Sequence, residues 1–266
     1  MIKRSIFLMT TMAMVAVIAA TASAQSTDEE LAKYRQMLAD DNPADLIEAK
    51  GAELWKTPRG PKHATLEQCD LGQGAGVVAG AYVGLPRYFA DTGRVQDIES
   101  RLVTCISTLQ GIPVGEASKN PFVGNSDMQA LVAYVAGQSK DRLIAAPMTH
   151  PQEKQAYDFG KQLFYYRAGP YDFSCATCHA QSGKRIRLQK LVNLTDPQES
   201  QASYGSWPAY RYSQGELRTL QHRIWDCMRQ QRFPDLQYNS DAAIALTMFM
   251  AKNAEGGIYH APGIKR

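Results

Sequence analysis

Cys175-Ala176-Thr177-Cys178-His179 decides how the rest of the chain is read. Two thiols two residues apart can add to the two vinyl groups along one porphyrin edge. The adjacent imidazole then reaches the iron from one face, so C-x-x-C-H is the c-type haem attachment pattern. A redox dithiol has no use for the neighbouring His. A zinc site needs a second ligand pair at suitable spacing, and the remaining cysteines and histidines are scattered. One motif implies one covalent haem c, anchored by Cys175 and Cys178 with His179 on the iron.

The chain begins with an export signal. Lys3 and Arg4 precede the apolar run 6–20, and Ala22-Ser23-Ala24 is a small-residue cleavage site. These are the marks of a secretory signal peptide, here residues 1–24, with an uncleaved anchor as the competing reading. The mature chain then starts at Gln25 in an oxidising compartment where disulfides persist. Covalent haem attachment makes that compartment a bacterial periplasm. Removing the signal takes away Lys3 and Arg4 and no acidic residue, lowering the formal net charge from +3 to about +1. That excludes a nucleic-acid footprint. No second apolar stretch is long enough to span a bilayer. Strand-like alternation is rare, so the expected fold is mainly α with long loops.

The two halves repeat each other. Tyr82–Cys105 aligns without gaps on Tyr204–Cys227, with identities at Tyr82/Tyr204, Pro86/Pro208, Tyr88/Tyr210, Gly93/Gly215, Arg101/Arg223 and Cys105/Cys227. Gly51-Ala52-Glu53-Leu54-Trp55 parallels Gly160-Lys161-Gln162-Leu163-Phe164, and Asn125-Ser126-Asp127 parallels Asn239-Ser240-Asp241. The Ser/Asp pairs are N-cap signals ahead of apolar runs at 128–137 and 242–252. The Gly and aromatic of each first helix would let it cross the last helix closely. This order resembles the cytochrome c fold, present twice in tandem. The expected domains are 25–145, without haem, and 146–266, with it.

Cysteine arithmetic separates the halves. Cys69-Asp70-Leu71-Gly72-Gln73 stands opposite the haem motif, so Gly72 replaces the second thiol and Gln73 the proximal His. Cys69 and Cys105 remain together in the first half and are read as a disulfide, against the alternative of two free thiols. Their loop of about 36 residues corresponds to about 3–4 kcal/mol in the chain-entropy picture.

Cys227 is left over. Gly215 to Arg232 reads as a helix with Leu217, Leu220, Ile224 and Cys227 on one face, and Arg223 one turn before the thiol. Cys227 is the candidate sixth iron ligand; a buried structural Cys is the alternative, as are Met228, Met248 and Met250 as ligands. His222 is rotated off the Cys227 face, and His63, His150 and His260 lie in loop-like segments. Arg223 is read either as a surface Arg or as a guanidinium that keeps Cys227 ionised and binds an oxyanion. Arg211, Arg218, Arg229 and Arg232 surround it, partly as a solvated face and partly as a mouth attractive to anions.

The haem motif, the duplicated cytochrome pattern and Arg223-x-x-x-Cys227 resemble the SoxA subunit family of the SoxAX cytochromes, over about residues 46–255. The chain departs from the two-haem members by carrying one attachment motif. It resembles the single-haem branch, in which a disulfide takes the place of the first haem. The resemblance implies a periplasmic L-cysteine S-thiosulfotransferase that joins thiosulfate to a cysteine of the carrier SoxYZ, passes electrons to c-type haem and pairs with a small SoxX cytochrome. It further implies Cys227 as axial ligand and catalytic sulfur, as a persulfide, and Arg223 as the thiosulfate-binding residue. Two other readings stand beside it: a plain electron carrier with a Met sixth ligand, and a structural partner cytochrome.

Overall fold

A glycine in the first helix of each repeat lets two helices touch backbone to backbone. The computed structural model describes residues 37, 41–186 and 189–265; the segment read as a signal peptide lies outside them. Helix α1 (Ala44–Lys56) crosses α3 (Asp127–Gly137) at Gly51, where a Cβ would overlap the Ala130 carbonyl. Helix α4 (Pro151–Tyr165) crosses α8 (Asp241–Asn253) at Gly160 in the same way, against the Ala245 carbonyl. One turn on, Trp55 meets Tyr134 at 5.9 Å between ring centroids, and Phe164 meets Phe249 at 4.9 Å. The later helices start where the caps foretell: Ser126 accepts from Gln129 N and Ser240 from Ala243 N.

Between first and last helix each repeat places a hairpin and a helix. In the first they are β1 (Arg87–Phe89), β2 (Arg94–Gln96) and α2 (Ile98–Cys105). In the second they are β5 (Ala209–Arg211), β6 (Glu216–Arg218) and α7 (Leu220–Gln230). Strand bounds and hairpin register correspond residue for residue at the spacing seen in the sequence. Gly93 and Gly215 each take φ of +65° at the hairpin turn, a conformation that favours glycine. The haem motif forms the one-turn helix α5 (Cys175–His179), followed by the small hairpin β3 (Arg185–Ile186) and β4 (Gln189–Lys190) and by α6 (Pro197–Tyr204). Residues from both repeats share one apolar core, and Pro43–Arg266 gather as one compact unit.

One expectation changes here. Gly215–Arg232 is not one helix: Thr219 caps α7 at Leu220, and Leu217 lies on β6, buried against Ala44 and Ala133. Strands of three residues expose too few positions for alternation to register in the sequence. The second sheet also gains a strand without a counterpart in the first. β7 (Gly263–Lys265) runs parallel to β5, in the order β6-β5-β7, with Lys265 opposite Arg211.

Cys69 and Cys105 form the expected disulfide, fully buried with Cα atoms 5.5 Å apart. A second link joins the repeats themselves. Glu99 on α2 and Gln221 on α7 hold equivalent positions and meet: Gln221 N donates to Glu99 Oε1 at 3.3 Å, and its Nε2 donates to Asp97 Oδ2 at 2.6 Å. Glu99 Oε2 is buried without a hydrogen-bond partner among the described residues. Burial, reinforced by the nearby Asp97, pushes the Glu99 carboxyl up to about 8.

Gly160→Ala is expected to cost about 1–3 kcal/mol in denaturant unfolding, because the added methyl meets backbone. Gly115→Ala, with nothing within 4 Å of the new Cβ, should shift stability by less than about 1 kcal/mol. Glu99 is held above its unfolded pKa, so its contribution is present below about pH 4.5 and lost as pH rises through about 8. Glu99→Gln, which installs the residue carried by the other repeat, should flatten that part of a stability-against-pH curve.

Candidate active site

The haem motif is held rigid by reciprocal caps. Ser174 Oγ accepts from Thr177 N at 3.1 Å while Ser174 N donates to Thr177 Oγ1 at 3.0 Å. One helical turn puts Cys175 and Cys178 on neighbouring positions of one face. His179 Nδ1 donates to the Val192 carbonyl at 2.8 Å, which fixes the tautomer and leaves the Nε2 lone pair for a metal. Burial lowers the His179 pKa, and Arg223 adds to it against the Val192 hydrogen bond. A neutral imidazole is the ligating form.

These three residues open on a cavity of about 600 Å³, whose wall also carries Arg223, Ile224, Cys227 and Met228 of α7. Phe164, Leu220, Leu246 and Met250 supply apolar surface. The volume is that of a cofactor pocket. Two unbridged thiols, a tautomer-fixed imidazole and an apolar wall fit a c-type haem. Burial pushes the Cys175 thiol up to about 12, with Cys227 and Cys178 adding to the shift, so the three sulfurs share one environment.

All five site residues foreseen in the second repeat therefore face one cavity. Met228 and Met250 also line it; Met248 is fully buried in the core and does not. His222 turns away, with Nδ1 3.4 Å from Gln129 Nε2 and its ring beside Phe122 and Trp225. His150 caps α4, and His63 and His260 are not among the lining residues.

Burial pushes the Cys227 thiol up, and the Arg223 guanidinium only partly opposes it. A thiolate there needs a metal as well as the guanidinium. Arg223 also lies 3.6 Å from Asp226, which meets Arg218 at 3.2 Å and Arg229 at 2.8 Å. Arg229 is solvated and Arg232 lies over the Tyr171 ring, whereas Arg211 and Arg218 line the cavity. Three participants were not singled out from sequence as site groups: Asp226, Gln214 and Lys265, the last brought to the cavity by β7. The Arg223/Asp226 spacing of three was a usable signal. Nothing local marks Lys265.

A sequence model described as the SoxA/TsdA cytochrome c domain matches residues 50–144. The L-cysteine S-thiosulfotransferase subunit SoxA of Hydrogenophilus thermoluteolus is 48% identical over 97% of this chain and 98% of its own length. The chain belongs to the SoxA family. A SoxA subunit of Hydrogenobacter thermophilus is 32% identical over 93% of this chain and 92% of its own. The crystal structure of SoxXA from P. pantotrophus shares the fold, with a TM-score of 0.73 at 22% identity over 88% of this chain and 84% of that one. Among the described residues no helix is long and apolar enough to cross a membrane.

Asp226 is the carboxylate on which the SoxA site's arginines converge. Asp226→Asn is expected to destabilise the haem-loaded protein by about 1–2 kcal/mol in denaturant titration, because Arg223 loses its carboxylate while Arg218 keeps Glu216 and Arg229 is solvated.

Proposed function

We propose that the chain is the catalytic SoxA subunit of a periplasmic L-cysteine S-thiosulfotransferase, exported by residues 1–24 and built as 25–145 without haem and 146–266 with one haem c. Cys175 and Cys178 would hold the haem through thioether bonds, and His179 and Cys227 would offer the donor atoms for its iron. The observation that carries this reading is the convergence of Cys227, Arg223 and the haem motif on one cavity.

The reaction is an oxidation. A carrier thiol and thiosulfate give an S-thiosulfonate, one proton and two electrons: RSH + S₂O₃²⁻ → RS–S–SO₃⁻ + H⁺ + 2e⁻. A haem c held there would supply a one-electron acceptor, and a SoxX-type partner with its own haem would supply the second. The Arg223 fork binds the anion, and Cys227 is the sulfur to which thiosulfate is joined, with the Cys227 proton and two electrons released. A SoxYZ cysteine thiolate then attacks the sulfur bonded to Cys227. The new S–S bond takes the sulfonated group, and Cys227 leaves as thiolate. A persulfide on Cys227 is the alternative resting form, relieving the poor nucleophilicity of a metal-bound sulfur.

Met228 and Met250 on the same cavity favour one second reading, a plain electron-transfer cytochrome with a thioether ligand. Cys227→Ala separates the two. Thiosulfate-dependent turnover with SoxYZ should fall by more than about 10³-fold while intact mass still reports one covalent haem. Full turnover, or a Met–iron charge-transfer band in the oxidised wild type, would reject the transferase assignment.

A further inference from the structure

The two repeats surround their matched arginines with different charges. In the first, Arg101 is buried, its Nη1 reaches Asp91 at 2.8 Å, its Nε donates to the Asp70 carbonyl, and its guanidinium lies 3.9 Å from the Phe89 ring centroid. That cation is paired and stacked within its own repeat. At the matched places the second repeat has Arg211 for Phe89 and Ser213 for Asp91. A neutral ring becomes a cation, and a carboxylate becomes a hydroxyl. Both residues line the haem-motif cavity.

Strand β7 enlarges the imbalance. It sets Lys265 opposite Arg211 in a parallel register that the two-stranded sheet of the first repeat lacks. Lys265 lines the cavity as well. Among the described residues neither Arg211 nor Lys265 has a carboxylate in ion-pair contact. Arg211 Nε donates to the neutral Gln214 at 3.2 Å. Asp226 is nearby but engaged by Arg218, Arg223 and Arg229, and Glu216 is engaged by Arg218 at 2.6 Å. Burial and mutual repulsion follow: Arg211 falls to about 10 under burial, Arg223 and Arg218, and Lys265 to about 8 under burial, Arg211 and Arg223. Partly buried cations crowded together without counter-charge are costly, and an oxyanion relieves the cost.

We propose that Arg211 and Lys265 join Arg223 in a three-cation pocket that holds the sulfonate end of thiosulfate beside Cys227. This deepens the transferase reading and rests on it. The two residues are positioning groups: they bind the end of the anion that does not react, as a planar fork and a mobile ammonium.

The test is thiosulfate dependence of the haem-loaded complex with its SoxX partner and SoxYZ, together with direct thiosulfate binding followed by calorimetry on the oxidised protein. Lys265→Met keeps the packed stem and removes the charge. It should weaken thiosulfate binding and raise KM by about 10-fold or more with a smaller change in kcat, while Lys265→Arg restores most of the affinity. Arg211→Gln should behave as Lys265→Met does. Steeper loss of binding with added salt in the wild type than in Lys265→Met would add support. Unchanged KM and binding in both charge-removing variants would overturn the pocket. So would a shifted reduction potential with unchanged thiosulfate affinity, which would assign these cations to the haem carboxylates. A wild type without saturable thiosulfate dependence would instead remove the transferase reading itself, so the two failures are distinguishable.

Discussion

The close crossing of α4 over α8 at Gly160 is the constraint on which the site depends. Because Gly160 rests on the Ala245 carbonyl, the two helices approach as nearly as backbones can. That approach sets where Phe164, one turn along α4, and Leu246 and Met250 on α8 stand as cavity wall. The same crossing at Gly51 draws Trp55 and Tyr134 together in the first repeat. One geometric device is used twice, and the second copy lines a cavity of about 600 Å³.

The difference between the copies lies in sulfur and charge. In the first, the residues matching Cys175 and Cys227 are bonded to each other as Cys69–Cys105, and the matching arginine is neutralised by Asp91. A cross-link and an ion pair occupy the places where the second repeat leaves open thiols and unmatched cations. One half carries the cross-link and the paired arginine, and the other carries the open thiols. This is the pattern expected when groups unsatisfied in the folded state are concentrated at a functional site. The Glu99–Gln221 contact joins the halves at equivalent helix positions, so the stable half braces the helix that bears Arg223 and Cys227.

What could be read from the sequence was local or repeated. Cys175–His179 is a contiguous pattern, Ser126 and Ser240 are caps acting within three residues, and Tyr82–Cys105 against Tyr204–Cys227 carries its own internal control. What was missed depends on pairing between distant segments. The hairpins are too short to display a period of two, so Gly215 and Leu217 were absorbed into the helix that follows them. Lys265 reaches the cavity only because β7 adds to β5 across more than fifty residues. The burial that raises the Cys227 thiol was not legible either, because a sequence displays the neighbouring arginine but not the depth at which the sulfur lies.

The two cysteine pairs stand in opposite states. Cys69 and Cys105 are joined, whereas Cys175 and Cys178 are unbridged. Exchange with a disulfide proceeds through the thiolate. At a pKa of about 12 Cys175 is almost wholly protonated at neutral pH. In the folded chain the wall that surrounds this sulfur thus also makes it a slow partner for thiol–disulfide exchange.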